Sequence, residues 1–176
     1  MKTVLLIGIA IGVGLTAAES VAEDLAIARR LGISLATLQE SLEKVGGSVT
    51  FAPRPGSAQG TQEARLPNQA GVVQAAGDAE NLGVVVVWAP IDQQRKTVAA
   101  EARGYLETLT GMFLADREKV LLWVDQVINR AIEERAEQSH LESQLFDGYQ
   151  MKVMYATSLS RPMVSLTISA STASEK

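Results

Sequence analysis

Residues 82–90, LGVVVVWAP, decide the fold of this chain. A short, continuous apolar run rich in β-branched residues predicts a strand buried on both faces, with Pro90 ending it. Downstream, Asp92 is placed to cap a helix over about 93–110. Its apolar positions Val98, Ala102, Tyr105, Leu106 and Leu109 recur at steps of three and four, and Gly111 stops it. A second helix is expected from Asp116 to about Gln138. Its inner stripe is Val120, Val124, Val127, Ile128, Ala131 and Ile132, with Trp123 beside it.

A polar segment containing Asp147 and Gly148 follows. Strict alternation then returns in 149–157, where Tyr149, Met151, Val153 and Tyr155 share a face, and in 163–170, where Val164, Leu166, Ile168 and Ala170 do. The intervening SLSRP predicts an antiparallel hairpin. The order is β-α-α-β-β. It implies an α+β domain over 82–171, a small, mostly antiparallel sheet packed on two helices. Residues 172–176 read as a disordered tail.

Upstream, residues 46–81 are rich in Gly, Pro, Ala and Gln with little apolar periodicity, and read as a flexible linker. Residues 19–45 read as a helical hairpin. Val21, Leu25 and Ala28 line the first helix, Gly32 ends it, Ser34 caps the second, and Leu35, Leu38 and Leu42 form its stripe.

This pair resembles two known modules. With Ala28, Gly32 and Leu38, it resembles the helix-turn-helix of DNA-binding regulators, which would place Ser34, Ala36, Thr37, Gln39 and Glu40 near the bases. The family's later apolar position falls on Ser41. The first 45 residues also hold five acids against four bases, a poor match to phosphate. Residues 24–53 resemble the helical half of a LysM module. There IARRLGISLATLQ is followed by a short extended piece, GGSVTFAP (46–53), and the resemblance implies peptidoglycan or other glycan binding. AAESVAED occupies the place of that family's preceding strand. A structural helical hairpin is the first reading, the LysM-like segment the second, the DNA reader the third.

The chain opens MKTVLLIGIAIGVGLTAA (1–18): one lysine, an apolar centre, then small residues. That is the layout of a secretory signal peptide, with Thr16 and Ala18 at the −3 and −1 sites, or Ser20 and Ala22 as a second option. The sixteen residues 3–18 reach only ~24 Å as a helix against the ~30 Å hydrocarbon core. Gly8, Gly12 and Gly14 weaken it further. A cleaved leader is therefore preferred to an uncleaved anchor, and contact with a membrane is expected only if 3–18 stay attached. As the first strand of a dinucleotide-binding fold the segment fails, since Ala10 and Val13 stand where glycines are needed. The address is exported, periplasmic or secreted, with inner-membrane anchoring as the alternative.

The net charge is −4, and −5 without Lys2, which disfavours a nucleic-acid partner. The absence of cysteine removes disulfides, thiolate metal sites and a thiol nucleophile. His140 is the lone histidine, three residues after Glu137, and reads as a polar helix end rather than a ligand. Ser41 and Lys44 spell S-x-x-K without the companion motifs of acyl enzymes. Glu133, Glu134 and Glu137 read as a solvated face beside Arg130 and Arg135. Trp88, Tyr105, Trp123, Tyr149 and Tyr155 read as core packing. Arg161, at a hairpin tip before Pro162, is the one basic residue singled out for interaction. No catalytic residue, metal or cofactor is expected. The function these features imply is an exported, non-catalytic envelope module that binds another protein or itself.

Overall fold

At the centre of the molecule lies β4 (Asn81–Asp92), the strand that contains the valine run. A computed structural model describes residues 30–57, 60–134, 140–157 and 161–171. The leader at 1–18, the first helix of the expected hairpin, Glu137 and the tail at 172–176 lie outside the described residues.

In chain order the elements are α1 (Leu35–Glu43), β1 (Ala52–Pro53), β2 (Gln62–Leu66), a 3₁₀ turn (Pro67–Gln69), β3 (Gly71–Asp78), β4 and β5 (Thr97–Val98). Then follow α2 (Ala100–Gly111), α3 (Arg117–Glu133), β6 (His140–Phe146), β7 (Tyr149–Ala156) and β8 (Met163–Ala170). Eight strands form one antiparallel sheet in the order β1-β2-β3-β4-β8-β7-β6, with β5 beside the end of β4. The protein is α+β, as expected, but its sheet is larger than the three strands of the expected order.

The valine run is central because both neighbours are long: Val73 pairs with Val87 on one side, and Leu166 with Val87 on the other. Val84, Val85, Val86 and Val87 are all buried. Alternation divides them. Val85, Val87, Ala89 and Ile91 join Met151, Val153, Val164, Leu166 and Ile168 in one core with Leu106 and Leu109 of α2 and Val124, Val127 and Ile128 of α3. Val84 and Val86 point to the opposite face. Pro90 does not end the strand. It is the last residue paired with β8, and Ile91 the first paired with β5, so its missing N–H falls where the strand changes partner.

Residues 46–81 are not a linker. Ala64, Leu66, Val73 and Ala75 are buried in the common core, and β2 and β3 extend the sheet beyond β4. Alanines carry much of the inward face, so the alternation is present but low in contrast. The glycines and prolines mark the turns and close approaches.

The expected helix at 93–110 starts late. Asp92 Oδ1 accepts the N–H groups of Gln94 (3.0 Å) and Arg95 (3.1 Å), which closes a turn rather than a helix, and α2 begins at Ala100. It ends at Gly111, as predicted. Asp116 caps α3 as predicted, its Oδ1 accepting Lys119 N–H at 3.2 Å. The segment before Tyr149, read as polar, is strand β6. Asp147 and Gly148 are the two-residue turn to β7, both in the left-handed region at φ 45° and 86°. His140 therefore starts a strand instead of finishing a helix.

The second helix of the hairpin exists, and it belongs to the same core rather than to a separate unit. Leu38 and Leu42 are fully buried with Leu31 and Val49. The backbone of Leu82 clasps the entering chain, accepting Leu31 N–H (2.7 Å) and donating to Ile33 O (2.9 Å). Gly32, at φ 77°, makes the bend between those two bonds.

Candidate functional site

All three described helices lie on one side of the sheet. The other side is left without a helix among the described residues. Its side chains come from the even positions of β4, β7 and β3 and the odd positions of β8 and β2, and the register lines them up. One row runs Arg65, Val72, Trp88, Ser165, Met154, Leu141; the next runs Glu63, Gln74, Val86, Thr167, Lys152, Ser143. Apolar and hydroxyl side chains occupy the middle strands, and charge collects toward the flanks. Glu63 is held by Gln74 Nε2 (2.9 Å) and Arg54 Nε (3.5 Å). Trp88, expected in the core, faces this open side half-buried, whereas Tyr105, Trp123 and Tyr155 do pack inside.

Arg161 sits between β7 and β8 as expected. Its Nη2 donates to Glu101 Oε1 at 2.9 Å, which ties the turn to the first turn of α2. A backbone hydrogen bond and the Arg161 guanidinium hold the Glu101 carboxyl below its ordinary value. Together with Asp92, Gln94, Arg95 and Pro162 they line an open cleft of about 480 Å³. Each cation there already has a carboxylate, Arg95 pairing with Asp92 at 3.6 Å, so the cleft has no net preference for an anion.

Ser34, Thr37 and Gln39 serve local roles. Ser34 Oγ accepts Thr37 N–H at 3.1 Å and caps α1, and the two hydroxyls lie 3.0 Å apart. Gln39 Nε2 donates to Glu43 Oε1 (3.2 Å), which also receives Val49 N–H at 3.3 Å. The structure does not bring these residues to Arg161.

On the helix side of the β6 edge, Arg130 grips Glu142 through two bonds, Nε at 2.8 Å and Nη2 at 2.6 Å. His140 Nε2 lies 3.0 Å from the same carboxylate, and its Nδ1 lies 3.6 Å from Glu134. The Arg130 hydrogen bonds keep the Glu142 carboxyl below its ordinary range. Among the described residues, no group of three or more histidines and carboxylates could hold a metal ion. No described helix is long and apolar enough to cross a membrane.

The open-face positions went unnoticed in the sequence because a run of valines hides which of them face outward. Leu141 and Leu145, both more than half exposed on β6, went unnoticed with the strand itself. The one available signal was Asp147-Gly148, a two-residue hairpin turn. Comparison of the chain with protein-family models, with curated proteins and with solved structures gave no match.

Proposed function

We propose that this chain is an exported cell-envelope protein that acts by binding another protein and not by catalysis. The side of the sheet opposite the described helices carries this reading. A half-exposed centre of Val72, Trp88 and Met154 beside buried Val86 and Ser165, flanked by Glu63, Arg65 and Lys152, has the composition of an interface core with a polar rim. A half-buried tryptophan at such a centre is the residue type that most often anchors a protein contact. Export rests on residues 1–18, whose basic start, apolar centre and small-residue exit suit a cleaved leader.

The test is to install a photo-crosslinking residue at Met154, or at exposed Ala36 on α1 as control, in the full chain produced in its native cells. A discrete adduct in the exported fraction from position 154 and not from 36 supports the reading. Equal labelling from both positions, or recovery only from the cytosol with Met1 intact, overturns it.

A further inference from the structure

We infer that β6 is a self-pairing edge, through which two copies of this chain join their sheets across a twofold axis at Ser143. The two edges of the sheet are built differently. At one end β1 has two residues, one of them Pro53, and β2 beside it carries exposed Arg65, so that edge is short, proline-bearing and charged. These are the usual guards against strand addition. At the other end β6 has seven residues, no proline, no lysine and no bulge in its pairing with β7. Among the described residues no strand lies on its outer side.

The hydrogen-bonding phase of that edge follows from the turn. Asp147 and Gly148 make a two-residue turn with both φ positive, so the closing pair, Phe146 and Tyr149, exchanges both ladder bonds. By alternation Gln144, Glu142 and His140 also turn their peptide groups toward β7. Leu141, Ser143 and Leu145 turn theirs outward.

A twofold contact must be self-complementary: residue i meets j, and j meets i. The segment Leu141-Glu142-Ser143-Gln144-Leu145 reads nearly the same in both directions. Antiparallel pairing about Ser143, the middle of the strand, sets Ser143 against Ser143 and Leu141 against Leu145 of the second copy. All the outward peptide groups of those three residues are then used. It sets Glu142 against Gln144, so no like charges oppose each other. A centre at Glu142 or Gln144 would present peptide groups already committed to β7. A centre at Leu141 or Leu145 would shorten the overlap.

Side chains point to the same conclusion. The large apolar residues exposed among the described ones are Leu122, Leu141 and Leu145. The last two lie on β6, where the pairing brings them together. Leu122 on α3 is adjacent to Trp123, whose ring packs on Phe146 of β6 at 5.4 Å. Exposed leucines gathered at an unguarded edge are what a second copy would cover. The axis stands perpendicular to the sheet, so both open faces end on the same side as one surface. The pairing needs only the edge, and it stands or falls separately from the open-face reading.

The chain has no cysteine, which makes a register test direct. Residues opposed in a hydrogen-bonded antiparallel pair have Cα atoms about 5.5 Å apart, within disulfide range. In the full chain under mild oxidant, Ser143→Cys should form a disulfide dimer far faster than Glu40→Cys on α1. A mixture of Leu141→Cys and Leu145→Cys chains should cross-link more than either alone. By sedimentation the parent chain should approach twice its monomer mass with rising concentration. Leu145→Lys should remain monomeric. So should Ser143→Pro, which removes an outward N–H together with the exposed hydroxyl that accepts from Gln150 Nε2. Both should keep the parent's circular-dichroism melt. A parent chain that stays monomeric, a Ser143→Cys rate equal to the control, or dimers that persist in both edge variants would overturn the inference.

Discussion

Gly71 lies directly against the backbone of Trp88: a Cβ at Gly71 would stand 1.9 Å from the Trp88 carbonyl oxygen. With φ at 135°, Gly71 opens β3 in a conformation and a space that admit no side chain. Gly71→Ala should therefore destabilise the whole domain by roughly 3 kcal/mol or more, since backbone strain and overlap act together. A urea titration followed by tryptophan fluorescence checks it. A loss under ~0.5 kcal/mol would mean that residues 62–78 are held to the sheet only loosely.

Leu38 on α1 is fully buried in the core that also contains Leu106 and Val127. Leu38→Ala should cost about 2–5 kcal/mol of global stability, the range for deleting a buried leucine side chain. The same titration should show one transition shifted as a unit. A preserved main transition with a separate, weak early step would instead make α1 an appendage.

Glu142 gives the stability a defined pH dependence. Arg130 hydrogen bonds hold its carboxyl below the ordinary value of 4.5, and His140 adds to the effect. A carboxylate depressed in the fold contributes stability that is complete above its unfolded value. That contribution is lost as pH falls through the folded value. With the carboxyl side chain 26% exposed, the pair contributes on the order of 1 kcal/mol. Glu142→Gln should thus lower stability by about that amount at pH 7. The gap between variant and parent should close as pH is lowered below 4.5. Thermal melts across pH test this, and a gap that widens in acid would contradict it.

Tyr105 joins α2 to the loop after α1: its hydroxyl donates to Gly46 O at 2.6 Å, and burial raises its pKa. Tyr105→Phe leaves a carbonyl without that donor and should cost about 1 kcal/mol. By contrast Arg161→Ala breaks a half-exposed ion pair and should change stability by less than about 1 kcal/mol. Equal effects in chemical denaturation would show that one of these two contacts is misassigned.

The helices and the inner strands were legible because their apolar residues repeat with high contrast. Val120 to Ala131 keep one face of α3, and Met151, Val153 and Tyr155 keep one face of β7. Capping chemistry was legible too, at Ser34 and Asp116. Strands β2 and β3 were not, because Ala64 and Ala75 bury little apolar area while Gln62 and Gln74 alternate with them. Edge strand β6 buries only Phe146 among its seven residues, so it has almost no hydropathic signature. The candidate site was the least legible part. Arg161 was visible at its turn, but the helix-free face exists only once β3, β4, β8 and β7 are set side by side, and residues of one row there, such as Arg65 and Ser165, lie 100 positions apart in the chain.

Intact mass spectrometry of the chain recovered from fractionated cells tests the central claim, export, most directly. The account predicts a chain in the envelope or secreted fraction that begins at Glu19, residues 1–18 having been removed. A full-length chain carrying Met1 in the cytosolic fraction would contradict it.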